Sequence, residues 1–365
     1  MLKTMKKYRI AIIGMDHVHA MQLYTQFNEY AGDRIEWAGY ADTTGCDEEL
    51  LEFKKKLNFN AEGMLDMEYY ENWHTLLEQN IDIALVCTDI ASHGRVCEET
   101  LSRGIHTLVE KPMATDIEDG MRMYRAAKRS EAQLVINWPV AWFPAFNKAK
   151  ELADSGIVGE ILRFQYRSPS TRGPYKLGDY TNEQLSKLWW YDKKRGGGSI
   201  MDYAGYGCVL STWFMNGQLP LKVSGVKKNF FLPFSDVEDY STFTLEYENA
   251  VSVIEGSWST MNNGEIATGP VIYGSEGVIV ADRFDPVVKV YKDLKPYQPS
   301  PKPTEIFETS AADDNISIQL INHLENGTPL HEMVTPDFNI RAMAALDAGI
   351  RACESGKSET VKKIW

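Results

Sequence analysis

The stretch that decides the fold is KKYRIAIIGMDHVHAMQLY, residues 6–24. An apolar run with the composition of a buried strand ends at Gly14, and a helical pattern of apolar residues follows it. A strand, a glycine turn and a helix in this order are typical of the start of a dinucleotide-binding domain. Here, however, Asp16 and His19 replace the second and third glycines of the usual G-x-G-x-x-G pattern. We expect a modified turn that still binds a nucleotide, with the Asp16 carboxylate either turned away from the phosphate or, as its position allows, capping the helix.

Apolar strands alternate with helical stretches over the first third of the chain, which is typical of a parallel sheet with helices on both faces. Later runs, such as STFTLEYE at 241–248, alternate in polarity like strands of an antiparallel sheet with one open face. The predicted fold is α/β: a Rossmann doubly wound parallel sheet in residues 1–138, then an α+β domain with a large open-faced, mostly antiparallel sheet in residues 139–365. The helices of the first part are predicted at 17–30, 47–57, 68–79, 93–103 and 116–129.

Charge and apolar content limit the partners of this chain. Its 365 residues carry a formal net charge of -13, and no block of Lys and Arg stands out. Since nucleic acids attract basic surfaces, we expect no nucleic-acid partner. No segment approaches the roughly 18 apolar residues of a membrane span, and the N-terminus has no signal-peptide apolar region. We therefore expect a cytoplasmic protein without a membrane partner, and its five scattered cysteines fit reduced thiols.

Two segments carry residues suited to chemistry. Glu110-Lys111-Pro112 lies at the C-terminal end of a predicted parallel strand, where ligands of such sheets bind. The alternative is a loop lysine paired with Glu110. The second segment, RGGGSIMDYAGYGCVLSTWF at 195–214, places Asp202 and Tyr206 on one face of a helix. The alternative there is that Asp202 serves only as part of a capping box with Ser199.

Together these segments resemble the glucose-fructose oxidoreductase and inositol dehydrogenase family, called Gfo/Idh/MocA. The resemblance covers nearly the whole chain: the strand before Gly14, the run DIALVCTDIASHGRVCEETLSRGIHTLVEKP at 82–112, NKAKELADSGIVGEI at 147–161 and GGGSIMDYAGY at 196–206. It implies a two-domain enzyme that passes hydride between a nicotinamide cofactor and a secondary hydroxyl or carbonyl of a sugar, cyclitol or related polyol. It also implies a homodimer or homotetramer, for which the open sheet face is a suitable interface.

The resemblance implies a role for three residues. Lys111 is the lysine of the family's E-K-P turn, Asp202 is the aspartate after its glycines, and Tyr206 stands where most members have an acid/base histidine. Tyr206 is a departure that some relatives share. We expect Tyr206 to take the hydroxyl proton, with Asp202 orienting the substrate. The Lys111 cation should favour the phenolate form of Tyr206, although the ordinary pKa of a tyrosine phenol is about 10.

The expected cofactor is NAD, with NADP less favoured. Asp42 ends the second strand, 28 residues after Gly14 (42 − 14 = 28), and suits the ribose hydroxyls, while no Arg follows it. The expected cofactor-binding residues are Gly14, Asp16, His17, Asp42, Thr88, His93, Glu110 and Lys111.

The substrate side is rich in aromatic residues, and sugars stack on such rings. The expected substrate contacts are Trp138, Arg172, Tyr191 and Asp202. No metal is expected, since Asp16, His17, His19 and His93 show no established ligand spacing. Two other functions stay open: a redox-neutral, NAD-dependent glycosidase-like enzyme, and a non-catalytic sensor of sugars or nucleotides.

Overall fold

The opening stretch forms a central strand and the helix that covers it. The apolar run is β1 (Tyr8–Ile13), and the amphipathic segment is α1 (His19–Ala31). The structure is a computed structural model that describes residues 7–45, 47–170, 173–174, 179–262, 266–292, 302–310 and 314–364. The expected substrate contact Arg172 lies outside the described residues.

The first sheet is parallel and has six strands in the order β3-β2-β1-β4-β5-β6. Its other strands are β2 (Ile35–Ala41), β3 (Tyr69–Tyr70), β4 (Ile83–Val86), β5 (His106–Glu110) and β6 (Leu134–Asn137). The other helices of this part are α2 (Glu48–Asn58), α3 (Trp73–Leu77), α4 (Ile90–Ser102) and α5 (Ile117–Arg129). All four residues of β4 and of β6 are buried, as expected for strands covered on both faces.

Two predicted helices differ from the structure. The helix expected at 68–79 is wrong in its first half, because Tyr69 and Tyr70 pair with the end of β2 and only Trp73–Leu77 is helical. The helix expected from residue 93 begins at Ile90 instead, with Asp89 as its N-cap accepting a hydrogen bond from the backbone N–H of Ser92. Each difference follows from a local contact that outweighs the apolar pattern.

The second sheet has nine strands in the order β14-β13-β12-β11-β7-β10-β9-β8-β15, and all its neighbours are antiparallel except β7 and β10. The strands are β7 (Ile161–Pro169), β8 (Lys222–Lys228), β9 (Tyr240–Glu246), β10 (Val251–Ser257), β11 (Val271–Gly274), β12 (Gly277–Ala281), β13 (Val287–Lys292), β14 (Glu305–Glu308) and β15 (Glu359–Thr360). The predicted fold class is confirmed.

The helices of the second part are α6 (Pro144–Asp154), α7 (Asn182–Ser186), α8 (Gly205–Phe214), α9 (Ile316–Asn326) and α10 (Pro336–Ser355). Helices α6, α8 and α10 pack on one face of the second sheet, and α10 also packs on α5 and β6 of the first part. On the opposite face, Val226 of β8 and Ile306 of β14 are exposed. Among the described residues, no helix is both long enough and apolar enough to cross a bilayer.

Helix α8 lies close against β10 because it contains Gly207. A Cβ at this position would overlap the side chain of Ile254, which is fully buried in β10. At Gly205, two residues earlier, a Cβ would find its nearest neighbour, Trp138, at 3.6 Å, an ordinary contact distance. The two glycines therefore differ in the space around them although they share one helix.

We predict that Gly207→Ala lowers the free energy of unfolding by about 1–3 kcal/mol, the usual cost of overfilling a packed core. Gly205→Ala is the matched control and should be neutral or slightly stabilising, because alanine favours a helix over glycine by about 1 kcal/mol. Chemical unfolding of both variants, monitored by circular dichroism, measures the difference. Equal stabilities for the two would contradict the close packing of α8 on β10.

Candidate active site

The turn between β1 and α1 depends on Gly14. Its φ of +93° is in the left-handed region, and a Cβ there would lie 2.5 Å from Thr88. Only glycine fits between these two strand ends. In the part of the chain that the structure describes, the backbone N–H groups of Met15, His17 and Val18 have no hydrogen-bond partner. Free N–H groups at a helix start are the groups that bind a phosphate.

Asp16 does not cap α1; of the two orientations expected for its side chain, the structure has the one turned away from the helix start. The N-cap residue is Val18, and no side chain caps this helix end. Asp16 is 3% exposed, and its Oδ1 lies 3.0 Å from Lys54 Nζ and 2.9 Å from Arg195 Nη2. A buried carboxylate is costly without a charged partner, whereas the N–H groups of a helix end can bind water or a ligand. The side chain therefore turns away from the helix, toward two cations.

Lys54 and Arg195 extend this contact into a network of charges. Lys54 Nζ lies 2.7 Å from Asp42 Oδ2, and Arg195 Nε lies 3.0 Å from Asp89 Oδ2. Burial alone would lower the pKa of Lys54, but Asp16 and Asp42 raise it above its ordinary value. The pKa of Arg195 is raised in the same way, by Asp16 and Asp89 against the effect of burial. Two cations are thus shared among three carboxyl groups around the turn.

Asp42 directly follows β2, beside an open cavity of about 430 Å³. Its Oδ1 accepts a hydrogen bond from the backbone N–H of Thr43. The hydroxyl of Thr43 is buried and has no partner. The cavity is also lined by Tyr69, Glu71 and Trp73, so it offers aromatic surface as well as carboxylates.

Lys111 and Asp202 form a buried ion pair where β5 meets the second part of the chain. Lys111 Nζ lies 2.6 Å from Asp202 Oδ1, and the two side chains are 2% and 9% exposed. The other carboxylate oxygen of Asp202 accepts a hydrogen bond from Trp258 Nε1 at 3.0 Å. Burial alone would lower the pKa of Lys111, but Asp202 and Tyr206 raise it above its ordinary value. The structure therefore pairs Lys111 with Asp202 rather than with Glu110.

Tyr206 lies against this pair but is not made acidic by it. Lys111 Nζ lies 4.6 Å from the centre of the Tyr206 ring, over its face. Burial raises the pKa of Tyr206 to about 12, and the Lys111 cation offsets this only in part. Lys111 therefore acts in the expected direction, toward the phenolate, but the net pKa of Tyr206 is raised rather than lowered. Burial is the main reason, and the Asp202 carboxylate adds to the increase.

The three glycines before Asp202 bring backbone segments together. A Cβ on Gly197 would overlap the carbonyl of Trp190, and one on Gly198 would overlap Glu238. Glu238 Oε1 accepts a hydrogen bond from the backbone N–H of Ile200 at 2.9 Å and so provides a partner for this group at the start of the helix. The Ser199 hydroxyl is buried without a partner, so the capping box considered for it is absent. Residues 200–204 then form a π-helical turn before α8, a feature frequent at functional sites.

The remaining expected cofactor residues lie around the ends of β4 and β5. Thr88 packs against Gly14, as described above. His93 is fully buried, and its Nδ1 lies 3.2 Å from the carbonyl oxygen of Pro112, which requires the Nδ1–H tautomer. Glu110 Oε1 accepts a hydrogen bond from Asn137 Nδ2 at 2.7 Å. His17 is buried with its Nε2 unpartnered, and burial lowers its pKa well below the ordinary value.

Trp138 and Tyr191, expected as substrate contacts, are both buried and hydrogen-bonded. Trp138 Nε1 donates to Asn339 Oδ1 at 2.6 Å, and its ring packs edge-on against Tyr206. The Tyr191 hydroxyl donates to the carbonyl of Pro174 at 2.7 Å. These contacts give both rings a clear packing role in the wall beside Tyr206 and Trp258.

A polar cavity near Tyr206 was not anticipated from the sequence. It measures about 410 Å³, and its lining includes Ser168, Ser170, Asn262, Thr268 and Arg283. Two lining residues link it to the segment that carries Tyr206: the Arg283 cation acts to lower the pKa of Tyr206, and Ser170 is hydrogen-bonded to Tyr203. Hydroxyl, amide and guanidinium groups suit a polyhydroxylated ligand.

Sequence reasoning missed Lys54, Arg195 and Trp258. Lys54 begins a run of three lysines in an amphipathic helix, which reads as an exposed face, so no local signal marks it as buried. Arg195 directly precedes the three glycines, and this position in the sequence could have marked it as a residue of the site. Trp258 contacts Asp202 across 56 positions of sequence, a separation that no local pattern reveals.

Comparisons with known proteins agree with this geometry. Residues 8–138 match the profile of the oxidoreductase family with an NAD-binding Rossmann fold, and residues 146–280 match the GFO/IDH/MocA C-terminal domain. Similar proteins include myo-inositol 2-dehydrogenase of Thermotoga maritima, 26% identical over 44% of this chain and 46% of that protein. D-xylose 1-dehydrogenase [NADP(+)] of Haloarcula marismortui is 25% identical over 61% of this chain and 59% of its own.

These alignments span about half the length of the curated relatives. Among solved structures, an NAD-binding protein from Listeria innocua aligns over 98% of this chain and all of its own, with a TM-score of 0.73 at 19% identity. At 19% sequence identity, this structural similarity is evidence for the fold alone. The two matched profiles together cover the first sheet, much of the second and most of the chain, and the chain therefore belongs to the Gfo/Idh/MocA family of oxidoreductases.

Proposed function

We propose that this protein is an NAD-dependent oxidoreductase acting on a secondary hydroxyl or carbonyl of a sugar, cyclitol or related polyol. The observation that carries the proposal is the buried Lys111–Asp202 pair at the end of β5, with Tyr206 against it. This edge of a parallel sheet is where ligands of such folds bind. Relatives named as inositol and xylose dehydrogenases support the substrate class.

The residues around the first turn fit a dinucleotide. The free backbone N–H groups of Met15, His17 and Val18 suit the pyrophosphate, despite the missing glycines. Asp16 would repel a phosphate if it were alone, but Lys54 and Arg195 balance its charge. Asp42 and the unpartnered hydroxyl of Thr43 suit ribose hydroxyls. The cavity beside them suits the adenine end.

NAD is favoured over NADP by the charge of that cavity. Among the described residues that line it are Asp42, Glu48 and Glu71, and no lining residue is Lys, Arg or His. A 2′-phosphate would meet like charges there, whereas ribose hydroxyls can donate to the carboxylates. Lys54 is close to Asp42, but its ammonium is already shared by two carboxyl groups.

Tyr206, Lys111 and Asp202 each have a different role in the proposed reaction. When bound, the nicotinamide supplies the hydride acceptor or donor. Tyr206 keeps its proton at neutral pH because its pKa is raised to about 12, so it donates that proton to the alkoxide formed on a reduced carbonyl. In the opposite direction it must first lose the proton. Lys111 stabilises the developing negative charge, and Asp202 holds Lys111 in place while accepting a substrate hydroxyl.

The cavity near Tyr206 supports a polar substrate. Ser168, Ser170 and Thr268 offer hydroxyls, and Arg283 offers a guanidinium that lies over the rings of Phe143 and Phe284. The buried rings of Trp138 and Trp258 form the wall behind the ion pair rather than an open stacking platform.

We further propose that residues 1–138 bind the cofactor and residues 139–365 bind the substrate and form a homodimer or homotetramer through the open sheet face. That face carries exposed Val226 and Ile306 among polar side chains. A cytoplasmic location is part of the same proposal.

We predict that the full chain oxidises or reduces at least one member of a sugar and polyol panel, monitored at the reduced-nicotinamide absorbance. Tyr206→Phe should lower turnover by roughly 10²- to 10⁴-fold, the usual contribution of a general acid or base, with NAD affinity nearly unchanged. Tyr247→Phe, which removes the hydroxyl of another buried tyrosine that is hydrogen-bonded to Ser211 and does not contact Lys111 or Asp202, is the control and should keep full activity.

The role of Lys111 is tested by Lys111→Met alone and combined with Tyr206→Phe. Groups that act as one unit are not additive, so the double variant should be little worse than either single one. Additive losses would show that the two act separately. Bound NAD without net turnover on any substrate would instead support a redox-neutral enzyme.

The raised pKa of Tyr206 predicts a pH dependence for oxidation. Below a pKa of about 12 the phenolate fraction grows tenfold per pH unit. The rate of the chemical step, measured by single-turnover mixing, should therefore rise nearly tenfold per unit between roughly pH 7 and pH 10. Tyr206→Phe should remove this slope. A flat profile in the wild-type protein would exclude Tyr206 as the proton acceptor.

Cofactor preference is measured by calorimetric titration with NAD and NADP. NAD should bind at least about tenfold more tightly, because the 2′-phosphate meets the carboxylates around Asp42. Asp42→Ser should reduce the ratio of NAD affinity to NADP affinity, because it removes one of these carboxylates and its ion pair with Lys54. Asp33→Ser removes the same charge from an exposed turn and should leave the ratio unchanged. Tighter binding of NADP to the wild-type chain would overturn the assignment.

A further inference from the structure

Three side chains next to the Gly14 turn bring their ligand atoms together. His17, His19 and Glu110 each offer one nitrogen or oxygen, and these three atoms all lie within 4.8 Å of one another. His19 Nδ1 is 2.8 Å from Glu110 Oε2, and His17 Nδ1 is 3.9 Å from the same oxygen. Among the described residues, this is the one group of three or more His, Cys, Asp or Glu side chains that is close enough to share an ion.

We propose that His17, His19 and Glu110 form a binding site for a divalent transition metal, with Zn²⁺ as the best match. Two imidazole nitrogens and one carboxylate oxygen are a common set of three protein ligands for zinc, with a further position left to water or another ligand. The mixed nitrogen and oxygen set disfavours Mg²⁺, which prefers oxygen ligands and retains its water.

The three ligands come from three elements that the fold holds rigidly. His17 lies in the turn after β1, His19 is the first residue of α1, and Glu110 ends β5. Their side chains are 2%, 14% and 0% exposed, so the cluster is buried, and His19 provides the route from solvent. A site assembled from separate, rigid elements needs little rearrangement to bind an ion.

Neighbouring groups orient the ligands as outer partners do in known metal sites. Asn137 Nδ2 donates to Glu110 Oε1 at 2.7 Å, which leaves Oε2 directed toward the two imidazoles. The His17 ring packs against Trp190, with ring centres 4.9 Å apart. The Lys111 ammonium beside the cluster is paired with the Asp202 carboxylate. It therefore repels a bound metal ion less than an unpaired ammonium would.

The alternative is a cluster of hydrogen bonds without an ion. The carboxylate of Glu110 already bonds to His19, and the backbone N–H of His19 donates to His17 Nδ1 at 3.1 Å. His17 Nε2 is buried without a partner in that arrangement and would stay so with an ion at Nδ1, so this atom does not distinguish the two. Binding an ion exchanges these hydrogen bonds for metal–ligand bonds. It would also join α1 to β5 at the place where the third glycine of the usual pattern allows helix and sheet to pack closely.

The test uses the full-length, untagged chain, freed of metals with a chelator and titrated with Zn²⁺ alone. We expect one zinc ion per chain after gel filtration, with an affinity set by competition against a chromophoric chelator, and no comparable binding of Mg²⁺. Glu110→Gln and His19→Asn should each weaken zinc binding by at least about 100-fold, since loss of an outer partner alone costs 10- to 100-fold. Asn137→Ala should cost about tenfold.

The matched control is His74→Asn, which removes a histidine from α3 outside this cluster and should leave zinc affinity unchanged. If a variant does not fold, X-ray absorption at the zinc edge of the wild-type protein decides the question, because it detects two imidazole ligands directly. Absence of bound zinc, a spectrum without two histidines, or unchanged affinity in folded His19→Asn would each overturn the proposal. The readout is metal binding, so it holds whether or not the proposed redox activity is found.

Discussion

The contact between Lys111 and Asp202 is the interaction on which the arrangement of the site depends. One partner ends a strand of the first sheet, and the other lies in the π-helical turn that precedes α8. Removing charges from water is costly, and leaving one of them unpaired costs about 3–5 kcal/mol. The two parts of the chain must therefore meet in a geometry that closes this pair. Trp258 and Tyr206 then occupy fixed positions, because one donates to Asp202 and the other faces Lys111.

Burial is the main reason why the phenol of Tyr206 stays protonated. The Lys111 cation beside it favours the phenolate, but burial raises the phenol's pKa by more, and the Asp202 carboxylate adds to the increase. The site is thus arranged to give up a proton at neutral pH more readily than to take one. This fits the Lys111 cation lying over the ring face, where it is attracted by the neutral phenol as well.

Much of the fold could be predicted from the sequence, because β1, β4 and β6 are continuous apolar runs and the later strands alternate in polarity. The short strand Tyr69–Tyr70 could not be predicted, because two residues are too few to show the alternation of polarity that marks a strand. Lys111, Asp202 and Tyr206 were predicted from motif spacing and resemblance, and the structure brings them together. Their electrostatics were not predictable, because the net pKa of Tyr206 depends on burial. The contact of His19 with Glu110 joins residues 91 positions apart, so sequence spacing could not show it.

The charges around the first turn also limit how this chain can change. Asp16, Asp42 and Asp89 share Lys54 and Arg195, so altering either cation removes an ion pair from two carboxylates, and altering Asp16 removes one from each cation. A protein engineer who restores the missing glycine at Asp16 would leave both cations short of a partner, and would have to redesign α2 and the segment before the three glycines as well. The charges of the modified turn are therefore coupled, and we expect single substitutions that move it toward the common pattern to lower the stability of the protein.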